Sequence, residues 1–384
     1  MLRQTCLVLV LLLQAAGPVA GQDARWLDPR RKAEANRECK RGNAEACYSL
    51  GMVQLLNKPK KGAPLLAKAC KGGIGEACHK LGELYLTSGR KGLGNKPAKA
   101  RKFHQLGCEA EQWESCRELG YLLVEGRGGR ADPGQAREVF RKACESGLVD
   151  CCTELGRLAE VGSGGNESPA LARRMYERAC DQGNLEGCVR LAVLIRGAPE
   201  EENDDPRARR LLERACDEKH AEACARAGWM AENGLGGERN ADRAEKLYRK
   251  SCKRGAAEGC LYLAWLAGRG LAGKKDRQRK LLARAKKAGL DVWHERKLMS
   301  LLCEQGRAEA CDVAGLLHET GLGGPKNPGQ ARELYQKSCD GGFARGCLDL
   351  GFALKKGLGG KKSSSRARAM YRMACEQGYR GACR

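Results

Sequence analysis

Ten pairs of cysteines, the two members of each pair eight residues apart, recur along this 384-residue chain. From Cys108 to Cys252 successive pairs repeat every 36 residues. A fixed period of this length is typical of a solenoid of stacked helix pairs, in which each unit packs only on its neighbours. Aromatic residues are scarce, at 5%, and alternating strand patterns are absent. The sequence therefore predicts an all-α solenoid. The pairs are Cys39 and Cys47, Cys70 and Cys78, Cys108 and Cys116, Cys144 and Cys152, Cys180 and Cys188, Cys216 and Cys224, Cys252 and Cys260, Cys303 and Cys311, Cys339 and Cys347, and Cys375 and Cys383.

The residues that precede the first cysteine of each pair predict a helix, which we call helix B. An alanine usually lies eight residues before this cysteine and an aromatic residue often lies four before it, as in Ala136, Phe140 and Cys144. Steps of four place these residues on one helix face. A glycine often follows three residues after the cysteine, as at Gly147, and suits the left-handed position just past a helix end.

A second helix, helix A, is predicted to start near the second cysteine and to carry the pattern C-x-x-L-G-x-L, as in Cys152 to Leu158. The leucines would form a buried stripe, and the small residue between them would allow close helix crossing. Glycine-rich loops such as 126–129 and 321–324 then return the chain to helix B. No strand precedes them and no Gly-Lys-Ser/Thr follows, so they are interpreted as turns and not as phosphate-binding loops.

Each cysteine pair would thus bridge a short corner between helix B and helix A. A disulfide at this spacing closes a small loop and contributes about 2–3 kcal/mol in the chain-entropy model. The alternative is metal binding, but zinc sites need four convergent ligands and use shorter cysteine spacings. Ten isolated pairs at one spacing therefore favour disulfides and no metal site. Cys151 stands outside the pairs and is expected to be a free thiol.

The N-terminus resembles a secretory signal, and the charge balance indicates anionic partners. Arg3 precedes the apolar segment 7–13, which is too short to span a bilayer, and small residues before Gln22 suit cleavage. Export agrees with the cysteine content because disulfides persist outside the cytosol. The formal net charge of +23 favours acidic polysaccharide, anionic lipid or an acidic protein over nucleic acid, although a solvated basic surface is an equal alternative. The expected partner is therefore a protein or an anionic envelope polymer. We expect a secreted or periplasmic, monomeric protein without a transmembrane segment in its mature chain.

From about residue 35 to the end the chain resembles the Sel1-like repeat family, a relative of tetratricopeptide repeats. The matching motifs are A-x-x-x-Y-x-x-x-C, the corner C-x-x-G-x-x-x-A/G-C, L-G-x-L and the G-x-G-G loop, and the cysteine ladder resembles the secreted cysteine-rich branch of Helicobacter. The resemblance implies a right-handed αα-superhelical solenoid with one disulfide per unit. The expected organisation is a signal peptide (1–21), a lead segment (22–34), a repeat array (35–285), an irregular half-repeat (286–302) and a second array (303–384).

The irregular half-repeat is predicted where the cysteine interval lengthens from 36 to 51 residues, between Cys252 and Cys303. Lys286 and His294 occupy the places where a cysteine pair is expected. Because an A helix looks shortened or fused there, we expect an irregularity in the stack. A histidine metal site at His294 is the less favoured alternative.

The resemblance also raises a catalytic alternative, since members of that branch have been described as penicillin-binding or weakly β-lactamase-like. The single Ser-x-x-Lys is 88–91, and it lacks the companion Ser-Asp-Asn and Lys-Thr-Gly motifs. The five histidines fall at unrelated repeat positions, so none forms a triad with a serine or cysteine. The sequence thus offers no catalytic residue and implies no cofactor.

Position plus five of helix A, counted from the second cysteine, lies outside the leucine stripe and is rich in aromatic residues. Aromatic residues and arginine are typical interface anchors, and helix A lines the concave face in the related superhelices. The leading hypothesis is an exported scaffold that binds a macromolecular envelope partner there; the alternatives are a β-lactam-binding hydrolase and a structural envelope component that binds peptidoglycan or another polyanion. Packing between adjacent A helices is the competing interpretation of the aromatic residues. The candidate binding residues are Tyr121, Arg157, Trp229, Trp265 and Phe352.

Overall fold

The computed structural model describes residues 29–88, 92–197, 204–268, 275–288, 292–379 and 382–383. These residues form twenty α-helices and no β-strand, and within each part of the chain helices that follow one another pack together as in a solenoid, which confirms the predicted fold class. The chain divides into two compact units at residues 182 and 183. None of the described helices is long and apolar enough to cross a bilayer.

Unit 1 contains nine helices within its described residues. They are α1 (Pro29–Lys40), α2 (Ala44–Asn57), α3 (Pro59–Lys71), α4 (Gly75–Leu86), α5 (Pro97–Glu109), α6 (Trp113–Glu125), α7 (Pro133–Glu145), α8 (Val149–Glu160) and α9 (Pro169–Asp181).

Unit 2 contains eleven helices within its described residues. They are α10 (Leu185–Gly197), α11 (Asp205–Asp217), α12 (Ala221–Asn233), α13 (Ala241–Lys253), α14 (Ala257–Gly268), α15 (Lys275–Lys287), α16 (Val292–Glu304), α17 (Ala308–Thr320), α18 (Pro328–Asp340), α19 (Ala344–Lys356) and α20 (Ser364–Glu376).

The predicted cysteine pairs are disulfides that fix the corner from the end of a B helix to the start of the next A helix. The Cα–Cα distances range from 4.4 Å, in the bond from Cys252 to Cys260, to 5.0 Å, in the bond from Cys375 to Cys383. Most of these sulfurs are buried, so the covalent links lie inside the small core of each repeat. Cys180 and Cys188 are also disulfide-bonded.

The remaining disulfides have the same eight-residue separation and join the cysteines that the repeat pattern pairs. They link Cys39 to Cys47, Cys70 to Cys78, Cys108 to Cys116, Cys144 to Cys152, Cys216 to Cys224, Cys303 to Cys311 and Cys339 to Cys347. The corner geometry therefore recurs in both units.

The glycine in the middle of helix A packs against the aromatic residue of the following helix B. A Cβ atom at Gly156 would lie 2.6 Å from the Tyr176 ring, and one at Gly228 would lie 2.8 Å from the Tyr248 ring. Both tyrosines are fully buried. Real Cβ contacts are rarely this short, so any larger residue would push the two helices apart. The sequence expectation that a small residue permits close crossing is confirmed.

A tyrosine–glutamate hydrogen bond joins helix A to the following helix B in three repeats. The Tyr176 hydroxyl donates to Glu160 Oε2 at 2.6 Å. Equivalent bonds join Tyr248 to Glu232 at 2.7 Å and Tyr335 to Glu319 at 2.8 Å. Where the aromatic residue is Phe140, the glutamate position holds Val124, which needs no donor. The buried hydroxyl is therefore matched by an acceptor, as burial of a polar group requires.

His104 occupies the aromatic position of its B helix, α5. Its ring is fully buried and lies edge-on to His79, with 5.6 Å between the ring centroids. Burial, followed by the charge of His79, lowers the pKa of His104 to about 4. The ring is therefore neutral at pH 7 and fills the space that Phe140 or Tyr176 fills in later repeats.

The glycine-rich loops are turns that pack on the preceding repeat. Gly128 has a φ of +83°, and a Cβ atom there would lie 2.4 Å from the Pro97 carbonyl oxygen at the start of α5. After the loop, Asp132 caps α7 by accepting a hydrogen bond from the Gln135 amide at 2.9 Å, as the Asp-Pro dipeptide predicts. Only glycine combines a positive φ with the absence of a Cβ atom that would clash with the preceding repeat. These two requirements account for the glycine content of the loops.

An arginine near the start of helix B reaches over the next loop and binds its carbonyl groups. Arg137 donates to the carbonyl oxygens of Leu158, Ser163 and Asn166 at 2.7, 2.8 and 3.1 Å. Arg101 donates to the Arg130 carbonyl at 2.8 Å in the repeat before. Sequence reasoning missed this contact, although an arginine directly after the alanine of helix B was visible in several repeats. Further members of the set are Arg209, Arg296 and Arg332.

Arg137→Ala should destabilise unit 1 by about 2–3 kcal/mol, because it leaves carbonyl groups without a charged donor. Arg141 on the same helix is a matched control, since it forms exposed ion pairs with Glu138 and Glu145. Exposed pairs contribute less than about 1 kcal/mol, so Arg141→Ala should be nearly neutral. Urea denaturation followed by circular dichroism measures both variants. Equal losses would show that Arg137 acts only as a surface charge.

Helices α15 and α16 interrupt the alternation of A and B helices in unit 2. Helix α16 carries Cys303 in its last turn and Arg296, which donates to the Pro325 carbonyl at 3.1 Å, so it is the B helix of the next repeat. Helix α15 directly precedes α16 and follows an A helix, α14, so it also takes the place of a B helix. The side chains of Lys286 and His294 lie outside the described residues, so their assignment stays a prediction. Beyond this point, side chains of α19 contact residues of α12 and α14, which nearest-neighbour stacking alone would not produce.

Candidate functional site

Unit 2 contains a groove of about 430 Å³ between its A helices and α16. Helices α10, α12, α14 and α17 each contribute residues from one face, as expected if A helices line a concave surface. The lining residues are Ala192, Val193, Arg196, Gly197, Leu212, Glu222, Ala225, Arg226, Trp229, Met230, Glu258, Tyr262, Met299, Leu302, Arg307, Glu309, Ala310 and Val313. The floor of the groove is apolar, and acidic and basic side chains line its rim.

Trp229, one of the predicted binding residues, lies in this groove. It is half-buried at position plus five of α12, and the Arg196 guanidinium lies 4.6 Å from its ring centroid. Arg196 is held by Asp205, with 3.0 Å between Nε and Oδ1. Val193 occupies the equivalent position of α10 and is 39% exposed. The Trp229 ring is thus held in place by Arg196 and lies beside an exposed valine. Aromatic residues in such surroundings are typical interface anchors.

The rim of the groove carries acidic and basic side chains in similar number. Arg226 pairs with Glu222 on α12, with 2.9 Å between Nε and Oε1. Among the described residues, Glu258, Glu309 and Arg307 have no ion-pair partner. A surface with unpaired charges of both signs around an apolar floor complements a polypeptide, which can supply both charges and an apolar side chain.

A buried ionic cluster lies deeper in unit 2, centred on Arg345 at the start of α19. Arg345 Nη1 lies 3.4 Å from Glu232 Oε2 of α12, and Nε lies 3.0 Å from Asp312 Oδ2 of α17. All three side chains are fully buried. Burial raises the pKa of Asp312 well above its usual value, against the attraction of Arg345. The cluster joins α17 and α19 to α12, which is distant from both in sequence.

Trp265 belongs to this cluster and not to an exposed groove surface. It is 1% exposed, its Nε1–H donates to Asp349 Oδ2 at 2.9 Å, and the Arg345 guanidinium lies 3.8 Å from its ring centroid. A partner cannot reach the ring in this structure. At this position α14 is covered by α19, an A helix that is not its neighbour in the repeat order.

Two tyrosines complete the hydrogen bonding of Glu232. The hydroxyl groups of Tyr248 and Tyr379 donate to its two carboxylate oxygens at 2.7 and 3.0 Å. The Arg239 guanidinium stacks on the Tyr379 ring at 4.6 Å. Burial and the Glu232 charge raise the pKa of both tyrosines well above the usual value, so both stay protonated donors. The cluster therefore ties the end of the chain to α12.

The other predicted residues occupy separate places. Tyr121 and Arg157 lie in unit 1: Tyr121 is half-buried, with its ring edge-on to Phe140 at 5.5 Å between centroids. Arg157 pairs with Glu154, with 2.9 Å between Nε and Oε2. Phe352 is half-buried on α19 in unit 2. Of the five candidates, the structure places only Trp229 in the unit 2 groove.

The described residues that were candidates for catalysis or metal binding are not arranged for either. Cys151 is the free thiol among the described residues; it is buried, and burial raises its pKa to about 12, so it is a weak nucleophile at neutral pH. Ser88 is exposed after α4, while residues 89–91 of its motif lie outside the described residues. In the described ranges, no three His, Cys, Asp or Glu side chains are placed to hold a metal ion.

Sequence reasoning missed the ionic cluster, although Arg345 breaks a rule of the repeat. Two residues before the second cysteine, Arg345 stands where eight of the other nine pairs have Asp or Glu, as at Glu222 and Glu258. An acidic residue in the first turn of a helix is favourable there, and arginine is not. This exception was the signal in the sequence that Arg345 interacts with residues outside its own repeat.

Comparison with known proteins agrees with this architecture. The family model described as the Sel1 repeat matches seven segments and none between 256 and 307, where α15 and α16 interrupt the repeat. The matched segments are 75–111, 113–148, 149–184, 185–220, 221–255, 308–343 and 344–379.

Two solved structures are similar to this chain. A protective antigen present in uropathogenic Escherichia coli strains, displaying an SLR fold, is 23% identical with a TM-score of 0.57, over 91% of this chain and 80% of that one. A Sel1 repeat protein from Oxalobacter formigenes is 18% identical with a TM-score of 0.46, over 87% of this chain and 92% of that one. None of the curated proteins matches the sequence. At 23% identity the similarity to the first structure establishes the fold alone.

Proposed function

Because the chain belongs to the Sel1 repeat family, whose scaffold is typical of protein–protein interaction, we propose that it is an exported scaffold that binds a segment of a protein partner in the unit 2 groove. The single observation that carries the proposal is the groove itself. It combines the half-buried Trp229 and the exposed Val193 with charges of both signs that have no ion-pair partner among the described residues. An apolar anchor of the partner would contact Trp229 and Val193, and its charged groups would pair with Glu258, Glu309 and Arg307.

The disulfides support export. Cross-links at this density persist in oxidising compartments, such as the periplasm or the cell exterior. The proposed signal peptide, residues 1–21, lies outside the described residues. We therefore infer that the partner is met in the envelope or outside the cell.

Photocrosslinking tests the groove directly. A photoreactive amino acid at Val193 should label one discrete protein in an envelope extract of the producing cells. The same probe at Val161, which is 63% exposed and lies in unit 1, is the matched control and should not label that protein. Mass spectrometry of the adduct identifies the partner.

Trp229→Ala in the Val193 probe protein should reduce labelling, because loss of a central aromatic anchor weakens binding about 30-fold. Circular dichroism must show that the variant keeps its helices. Equal labelling from Val161, or labelling that Trp229→Ala leaves unchanged, would contradict a binding site in the groove.

A further inference from the structure

Positive charge is concentrated in the first three repeats. Residues 30–102 contain eighteen Lys and Arg but five Asp and Glu. Apart from Lys80, which pairs with Glu83, the described lysines of this stretch form no ion pair with a described carboxylate. Most of them are exposed. The field of this part of unit 1 is therefore strongly positive and not neutralised locally.

The basic residues replace acidic ones at a defined position of the repeat. The residue after the first cysteine is acidic in seven of the ten pairs, as at Glu145 and Asp217. In the first two repeats it is Lys40 and Lys71, and the remaining exception is Lys253 in unit 2. The basic residue at this position is thus a departure from this chain's own repeat pattern. It occurs in two successive repeats of unit 1, at the ends of α1 and α3.

Contacts in later repeats show what this position faces. Lys250 Nζ lies 3.2 Å from Asp217 Oδ1 of the preceding repeat, and Arg178 Nη2 lies 3.5 Å from the Glu145 carbonyl oxygen. Both basic residues lie two positions before the first cysteine of their repeat. The equivalent residue of the second repeat is Lys68, so its counterpart in the first repeat is Lys40. In this register two like charges replace an opposite pair, and their repulsion costs stability unless an anion binds between them.

We propose that Arg37, Lys40, Arg41, Lys68 and Lys71, which we call the basic row, bind an acidic polysaccharide. The five side chains are exposed at the ends of two successive B helices. Equivalent positions on successive repeats form a row, which matches charges spaced along a linear polymer. Carboxylate or sulfate groups of the polymer would bridge these lysines, which form no ion pair within the described part of the chain.

The composition of the row favours a polysaccharide over a bilayer or a nucleic acid. Among the described residues, the exposed large apolar side chains are Val161, Val193, Leu301 and Met373, and none is in the first three repeats, so nothing there inserts into a membrane. Base stacking needs free aromatic rings. Tyr85 is already stacked on Phe103, with 5.6 Å between centroids, and Lys99 lies over its ring.

Binding of fluorescent alginate (carboxylates) and heparin (sulfates) tests the proposal on the full-length protein. Lys40→Glu/Lys68→Glu/Lys71→Glu should weaken binding at least about tenfold and should lower the slope of log K against log salt by about three. The matched control, Lys337→Glu/Lys355→Glu/Lys356→Glu in unit 2, changes the net charge equally at exposed lysines and should alter binding less than about twofold. Of the two polymers, the one held more tightly identifies the anionic group.

Two results would overturn the proposal. Equal weakening by both triple variants would show that net charge alone attracts the polymer. Tighter binding of phosphatidylglycerol vesicles or of a 20-nucleotide DNA strand, with the same dependence on the three lysines, would assign the row to a membrane or to nucleic acid. Circular dichroism of each variant confirms that its helices persist.

Discussion

Full reduction of the disulfides should unfold both units at room temperature. Each bond closes a loop of about nine residues and contributes about 2–3 kcal/mol by restricting the unfolded chain. Unit 1 contains four complete pairs and unit 2 contains five. Their combined contribution to each unit, about 8 kcal/mol or more, matches the whole stability of an ordinary domain. Helix content at 222 nm, with and without dithiothreitol, measures the effect.

Alkylation without prior reduction is the control, and it should leave the helix content unchanged because the paired cysteines cannot react. A single-pair variant, Cys216→Ala/Cys224→Ala, should lose about 2–3 kcal/mol and stay folded. If the fully reduced protein kept a cooperative thermal transition within a few degrees of the oxidised form, packing and not the cross-links would hold the repeats together.

Arg345→Met should destabilise unit 2 by about 3–5 kcal/mol, because it leaves Glu232, Asp312 and Asp349 buried without their cation. Hydrogen exchange should speed up most in α12, α17 and α19, the helices that the cluster joins. Arg226→Met is the matched control in the same unit: its exposed pair with Glu222 contributes less than about 1 kcal/mol. Urea denaturation measures the free energy of unfolding of both.

The loss caused by Arg345→Met should shrink at pH 5. Burial already raises the pKa of Asp312 in the folded protein, and removal of the arginine raises it further. A carboxyl group whose folded pKa is raised stabilises the fold at low pH and loses that contribution as pH rises through the folded pKa. A loss that is equal at pH 5 and pH 7 would show that the packing of Arg345, and not its charge, holds α19 against α12.

The periodicity of the chain was sufficient to predict the repeat and its corners. Ala136, Phe140 and Cys144 lie on one helix face because the α-helix brings every fourth residue to the same side, a local rule that needs no tertiary information. The same is true of the glycine after each B helix and of the cap at Asp132. The paired tyrosine and glutamate, sixteen residues apart, were also within reach of sequence reasoning, since Val124 accompanies Phe140.

The candidate site was predicted only in part. Trp229 lies in the groove as expected from the aromatic residues at position plus five, but Trp265 at the same repeat position is buried. The two differ because α19 covers α14 at Trp265, and that contact joins residues 84 positions apart. A repeat pattern describes each helix by its neighbours and carries no information on such distant pairs.

By itself the sequence determined the helices, their corners and the disulfides, because these depend on residues within one 36-residue period. It also revealed the missing cysteine pair near Lys286. Only the tertiary structure decided which helices meet across several repeats, and therefore which aromatic residues stay accessible. The physical reason is that small rotations between successive repeats add up along the stack. The place where Arg345 meets Glu232 depends on that sum, which no single repeat encodes.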